Sequence, residues 1–365
     1  MRKTFKYRLY PTKKQAVALD EQLAEACRLY NAALQERRDA WKMRKTPISY
    51  YQQNKQLREI RAAGDVSLAN YTACQDVLQR VEKTFHAFFR RIKSGKKAGY
   101  PRFKPLSQFH SYTFPKYGNG CKLRANNKLY IMGVGAIKVK LHRPLAGQIK
   151  TVTIKKSCGK WDACFSVILP SPAPLPATGN TTGIDVGLTS FAVLSDGTTI
   201  TNPRYYQTAQ AKLRRAQRRV CRRQKTSNRR RKAVKHLQRV HTHIKNQRRD
   251  FHHQVSRRLI NQYDVIAHES LNIKGLARSM LAKPIGDVGW QSFLMILSDK
   301  AAEAGRQIVR VNPNGTSQRC ICGTLVPKTL QDRWHACPHC QLSVPRDHAA
   351  ALEILRLGLS RREVT

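Results

Sequence analysis

Three carboxylates and four thiols sit in settings where they could do chemistry. Asp185 interrupts the apolar alternation of GIDVGLTSFAVLSDG, which otherwise reads as two strands closed by a turn at Asp196-Gly197. A carboxylate there costs free energy unless something cationic pairs with it. Glu269 ends the short apolar strand in YDVIAHE, and Asp347 opens the helical pattern RDHAAALEILRLG. Each alone has an ordinary explanation as a turn residue, a solvated strand end or an N-terminal helix acid. Together they form a set of acids from distant segments that divalent cations would draw together. Two carboxylates about 4 Å apart repel by roughly 4 kcal/mol at an effective dielectric of 20, and bound cations remove that penalty. Two such ions can activate a water and stabilise the leaving oxygen of a phosphodiester.

The thiols lie in RCICGTLVPKTLQDRWHACPHCQL, as Cys320-x-Cys322 and Cys337-x-x-Cys340. Two close pairs across a short loop predict a tetrahedral zinc site, with no position left open for catalysis. The first pair is one residue short of the usual spacing, so His335 and His339 stand as alternative ligands. The other cysteines, Cys27, Cys74, Cys121, Cys158, Cys164 and Cys221, are scattered as buried reduced thiols usually are.

The elements that must position these groups belong to a very basic chain of 365 residues. It has 68 Lys and Arg against 22 Asp and Glu, a net charge of +46. Self-repulsion of that size calls for a polyanion, and nucleic acid fits because each neutralised phosphate releases a counterion. No apolar run approaches membrane-spanning length, which argues against a membrane partner. The opening MRKTFKYRLYPTKK has no apolar signal core, so a cytoplasmic protein is expected, associated with the nucleoid when bound to DNA.

Along the chain, Phe5, Tyr7 and Leu9 alternate as one strand up to Pro11. Residues 13–93 then repeat apolar positions at three and four, as in Leu19, Leu23, Cys27, Tyr30 and Leu34. IKVKL, VTI and WDACFSVIL read as strands between residues 137 and 169, and SPAPLPATGN as a linker. Residues 203–249 contain no acid and predict two basic helices joined near Ser227-Asn228. Repulsion between like charges four apart disfavours such helices alone and points to a polyanion on Arg218, Arg219, Arg222, Arg223, Arg229, Arg230 and Arg231. A strand to Glu269, an amphipathic helix with Trp290, Phe293, Leu297 and Ala301 on one face, a strand at 307–311 and a turn at 312–315 complete an α/β pattern.

In this order, the segments FKYRLYPTKKQ, RRIKSGKKAGYPRFK, GIDVGLTSFAVLSDG, HESLNIKGL, NPNGTSQRCICG and CPHCQLSVPRDHAAALEI resemble the TnpB (OrfB) proteins of bacterial insertion sequences, relatives of type V CRISPR effectors. The resemblance covers nearly the whole chain. It implies an α+β multidomain protein. A RuvC-type, RNase H-like α/β nuclease domain would span residues 181–311 and 343–358, with a zinc ribbon inserted at 312–342. A split, oligonucleotide-binding-type (WED-like) β-barrel at 1–11 and 95–170 would bind the guide RNA, with a helical recognition domain at 12–94, a linker at 171–180 and a tail at 359–365.

The function implied is a transposon-derived RNA-guided DNA endonuclease that recognises a short target-adjacent motif. Asp185, Glu269 and Asp347 would hold two Mg²⁺ ions, and Cys320, Cys322, Cys337 and Cys340 would hold Zn²⁺. Guide RNA and double-stranded target DNA would be the partners of a monomer, with most specificity carried by base pairing. Tyr100, Arg102 and Lys104 are further expected nucleic-acid contacts, and Gln75 and Gln79 could pair with bases beside the target. Two departures flank the third acid: Pro345 and Ala349 stand where the family usually has an acid and an Asn, and the first cysteine knuckle is short. The competing functions are a guided DNA-binding regulator without useful catalysis and a transposase that cuts and joins DNA directly.

Overall fold

In the computed structural model, which describes residues 1–329 and 331–362, the chain divides into two compact units, 1–170 and 171–365. No described helix is long and apolar enough to cross a membrane.

The first unit begins with β1 (Arg2–Tyr10), which buries Phe5, Tyr7 and Leu9 as its alternation requires. Thr12 then caps α1 (Lys13–Arg44): its hydroxyl accepts from the Gln15 N–H, and the Gln15 side chain accepts from the Thr12 N–H. The helical stretch breaks at Lys45, which adopts the left-handed conformation with no glycine to mark it, and resumes as α2 (Tyr50–Ala62) and α3 (Tyr71–Lys93). Six strands follow: β2 (Ser111–Phe114), β3 (Cys121–Arg124), β4 (Lys128–Ile131), β5 (Gly135–Lys140), β6 (Gln148–Ser157) and β7 (Lys160–Ile168). With β1 they form one antiparallel sheet in the order β2-β6-β7-β1-β5-β4-β3. The first strand is thus central, clamped between β7 and β5. Asp162 on β7 is buried and paired with Lys6 at 3.0 Å and Arg8 at 3.1 Å, which ties the register of β1 to charge as well as to apolar alternation.

The second unit opens with residues 171–180, which are fastened down rather than free as a linker would be. Leu175 N–H donates to Ala304, Arg306 donates to the Pro176 carbonyl, and the Asp264 carboxylate accepts from Thr178 and Gly179. Then come β8 (Thr181–Val186), β9 (Ser190–Leu194) and β10 (Thr199–Thr201). They are followed by α4 (Tyr205–Thr208), α5 (Gln210–Cys221) and α6 (Asn228–Gln262), the last capped by Ser227. After them lie β11 (Val265–Glu269), α7 (Ile273–Leu276), α8 (Ala282–Val288), α9 (Trp290–Ala304) and β12 (Gln307–Val311). The chain closes with β13 (Trp334–Ala336), β14 (Ser343–Pro345) and α10 (Arg346–Arg362).

The five-stranded sheet runs β10-β9-β8-β11-β12. Its first three strands are antiparallel neighbours, and β11 is parallel to both β8 and β12. Phe191, Phe293, Leu259 and Leu297 fill the core on the α6–α9 side. Two boundaries differ from expectation. β14 pairs with β13, so residues 343–345 belong to the ribbon, and α10 continues through the expected tail to Arg362. Residues 363–365 of that tail lie outside the described residues. The turn after β12 lies at 314–318 rather than 312–315.

Candidate functional site

Register brings the first two acids together. In the parallel pair β8–β11, Ile184 faces His268 across the ladder, so the next step along places Asp185 beside Glu269 at the carboxyl ends of both strands. Open α/β sheets bind ligands at this end, where the strand order reverses direction. Gly183 lies two residues before Asp185 and therefore on the same face. A Cβ on Gly183 would meet the Ala351 carbonyl oxygen of α10 at 2.1 Å. A Cβ on Gly358 would meet the Ala267 side chain at 2.5 Å. These two glycines let α10 lie directly on β8 and β11, and its first turn carries Asp347 to the strand ends. His348 adds a tie, with Nε2 3.1 Å from the Ser195 carbonyl oxygen.

The electrostatics record the convergence. Burial pushes the Asp185 carboxyl up to about 7, helped by the charges of Glu269 and Asp347 and opposed by that of Arg346. Burial also raises Glu269, against which the buried Thr316 hydroxyl donates a hydrogen bond to its carboxylate. Arg346 is itself anchored to the ribbon, donating to the Thr329 carbonyl at 2.8 Å. Sequence reasoning singled out neither Thr316 nor Arg346. Thr316 sits in the quoted NPNGTSQ segment, but only the folded turn shows that its hydroxyl faces Glu269. Gly187 lies against the Ser190 carbonyl oxygen, 3.0 Å from where its Cβ would be, so its small size makes room for backbone within the β8–β9 hairpin.

The four thiols form a second site. The Sγ atoms of Cys320, Cys322, Cys337 and Cys340 all lie within 4.8 Å of one another, with Cys320–Cys340 at 3.5 Å and Cys322–Cys337 at 3.6 Å. A tetrahedral ion with metal–sulfur bonds of about 2.3 Å would place sulfurs about 3.8 Å apart, so the cluster fits such an ion with little adjustment. The short first knuckle is accommodated by a turn in which Cys320 N–H donates to Thr324 and Gly323 N–H to Cys320. Gly323 has a φ of 89°, which favours glycine. His335 is buried but turned to Lys328, with Nε2 unpartnered, and His339 is exposed; neither joins the cluster. Among the described residues this is the one group of acids, histidines and cysteines packed so tightly; the three carboxylates are not. Of the scattered cysteines, Cys27, Cys74 and Cys121 are buried, Cys158 and Cys164 are half-buried, and Cys221 is exposed, contrary to expectation for the last.

The basic helices expose their charge. Leu213, Ala216 and Val220 of α5 pack inward with Ala233, Val240 and Ile244 of α6, while Arg218, Arg219, Arg222, Arg223, Arg229 and Arg231 remain exposed. Arg215, Arg218, Arg219, Arg222 and Arg223 line an open hollow of about 540 Å³, and Arg219, Arg223, Arg229, Lys232 and His236 one of about 410 Å³. Arg230 is half-buried and donates to the Arg223 carbonyl. In the first unit, Arg102 is exposed, while the Lys104 ammonium lies 4.5 Å from the Tyr30 ring centre. Gln79 is exposed, whereas the Gln75 amide donates to Asn54 at 2.9 Å.

Comparison with known proteins places this geometry in a lineage. A family model described as "Probable transposase" (OrfB_IS605) matches residues 164–280, and a Cas12f1-like TNB domain model matches 290–354. A model described as "Helix-turn-helix domain" matches 1–46, a span that here is β1 followed by the single helix α1. A Streptomyces pristinaespiralis protein named "Putative RNA-guided DNA endonuclease" is 32% identical over 374 residues, covering 99% of this chain and 90% of its own. The Escherichia coli (strain K12) protein of the same description, InsQ, is 29% identical over 377 residues, covering 97% and 92%. The fold is similar to that of Cas12f1 in a cryo-EM complex with sgRNA and target DNA, with a TM-score of 0.62 at 14% identity, covering 97% of this chain and 98% of that one. By sequence along its whole length, this chain belongs to the TnpB (OrfB) family.

Proposed function

We propose that the chain is an RNA-guided DNA endonuclease in which Asp185, Glu269 and Asp347 form the cleavage centre. The observation that carries this reading is the placement of three acids from separate segments: register sets Asp185 beside Glu269 and the seated α10 brings Asp347 to the same strand ends, where burial, with the charges of the other two, raises Asp185 to about 7. Acids so arranged favour a bound cation, because positive charge relieves both burial and mutual repulsion. Mg²⁺ suits carboxylate oxygens, and two such ions would supply an activated water and stabilise the leaving oxygen of a phosphodiester.

The chain's own residues do the positioning. The β8–β11 register sets Asp185 beside Glu269, Thr316 orients Glu269, and the glycine-seated α10 delivers Asp347. The five-stranded sheet, in the order 3-2-1-4-5 of its own strands with α10 across it, supports an RNase H-like, RuvC-type domain. The four thiols would hold a structural Zn²⁺, since four protein ligands leave no open position. The seven-stranded sheet of the first unit would be the guide-binding barrel and α1–α3 the recognition helices. The exposed arginines of α5 and α6 would track phosphates, and the names of the relatives support guide RNA and target DNA as the partners.

The test is cleavage of a guide-matched duplex in Mg²⁺ by the chain purified with its RNA. Asp185→Ala should reduce cutting on the order of 10³-fold or more, since metal-assisted charge stabilisation contributes several kcal/mol, and should leave RNA binding unchanged. Unaltered cutting by that variant would remove the assignment. Duplex binding without cutting by the unmodified chain, in Mg²⁺ or Mn²⁺, would favour the guided DNA-binding regulator.

A further inference from the structure

The chain holds no Asp or Glu from Lys83 to Trp161. At the start of this acid-free stretch, the last turns of α3 and the segment after it gather an aromatic cluster. Phe89 stacks beside Phe85 with ring centres 6.3 Å apart and planes 30° apart. Phe88 meets Phe89 edge-on at 5.2 Å and Tyr100 at 5.4 Å, while Tyr100 meets Phe85 at 5.8 Å. The inner ring, Phe85, is buried, but Phe89 is 58% exposed, Tyr100 41% and Phe103 43%. Arg38 lies over the Phe103 ring at 5.9 Å. Arg90, Arg91, Lys93, Lys96, Lys97 and Arg102 flank the cluster along the chain, all exposed. The acid just before the stretch, Glu82, is engaged by Arg37 and His86.

Contiguous exposed apolar surface normally marks a contact site. Exposed rings packed edge-on against their neighbours and flanked along the chain by cations match one chemistry in particular. A base stacks on the ring face while the flanking cations take the phosphates on either side. We infer that Phe88, Phe89 and Tyr100 form a stacking platform for an unpaired segment of the bound RNA. The inference rests on the RNA-guided reading above. Under that reading the guide is the resident partner and target DNA comes and goes, so apolar rings that would otherwise lie open to water are matched to the RNA.

Fluorescence anisotropy on the full chain, with a short labelled oligoadenylate as RNA and as DNA, tests it. Phe89 is exposed, so its replacement leaves folding intact. Phe89→Ala and Phe89→Leu should each weaken RNA binding about five- to hundredfold, the range for losing one stacked base, with the slope of affinity against salt unchanged. Phe89→Trp should retain binding, because it keeps a π face. Arg91→Ala should instead lower the salt slope by about one. Three outcomes would overturn the platform: unchanged affinity in Phe89→Ala, equal loss in Phe89→Trp, or a larger loss for DNA than for RNA. Any of these with cleavage by the unmodified chain intact would sink the platform alone and leave the endonuclease reading standing.

Discussion

The four thiols and the three carboxylates of the second unit are assembled in opposite ways. Cys320 and Cys340 are only twenty residues apart, and two tight turns suffice to bring the sulfurs within 4.8 Å. The carboxylates come from segments roughly eighty residues apart and approach one another, less tightly than the thiols, because a parallel strand pair is in register and a helix is seated on it. The thiol cluster already has nearly the dimensions that a tetrahedral ion would require. The acids lack such a fit: burial first, and then the charges of Glu269 and Asp347, keep Asp185 raised. A locally built site can serve structure, whereas a site built by the whole sheet can hold charge in an unfavourable arrangement that ligands then relieve.

Breaking the local site should have the largest effect. Cys337→Ser should remove the bound zinc measured by elemental analysis and lower stability by several kcal/mol, since a structural ion contributes directly to folding. His335→Ala, which loses a side chain outside the cluster, should leave one zinc per chain. Zinc retained in Cys337→Ser would show that the ligand set is not the four cysteines.

The acid cluster sharpens the comparison through pH. The folded state keeps the Asp185 proton up to about 7, while the unfolded chain releases it near the ordinary 3.8. The unfolded state therefore binds fewer protons between these values, and stability of the metal-free chain falls as pH rises through that window. Asp185→Asn carries no such penalty. It should stabilise the metal-free chain at pH 8 by on the order of 2–4 kcal/mol, a gain that vanishes toward pH 4 in thermal melts. Equal stability of the two chains at pH 8 would mean that Asp185 is not buried among the acids as described.

The smallest change separates the two modes of assembly. Gly183→Ala places a methyl where the Ala351 carbonyl lies, so α10 must lift from β8. It should cost about 1–3 kcal/mol by overpacking and depress cleavage, while zinc content stays at one per chain. Cleavage at the unmodified rate would show that the seat of α10 does not set the position of Asp347.

Much of this was legible in the residues. The alternation of Phe5, Tyr7 and Leu9, the apolar stripe of α6, and strands such as QIVRV were readable because burial on one face imposes a period of two or of 3.6. The short strands β2, β3 and β4, of four residues each, were not, because so few residues barely define a period. Nor was the break at Lys45, a left-handed residue carrying no glycine signal. The Pro-rich stretch 171–180 looked like a linker, because hydrogen bonds from its backbone to Asp264 and from Arg306 leave no trace in composition.

By itself the sequence determined the chemistry available: an excess of cations that demands a polyanion, two cysteine pairs close enough to share an ion, and acids set where apolar strands and a helix begin or end. Which of these meet was decided only by the tertiary structure. Cysteine over histidine in the cluster follows from how the local turns point each side chain, Thr316 at the carboxylate from the turn after β12, and Asp185 beside Glu269 from ladder register. The approach of the acids, which also needs α10 seated at Gly183 and Gly358, is a long-range packing choice that no local spacing encodes, because its free energy exists only once the sheet has formed.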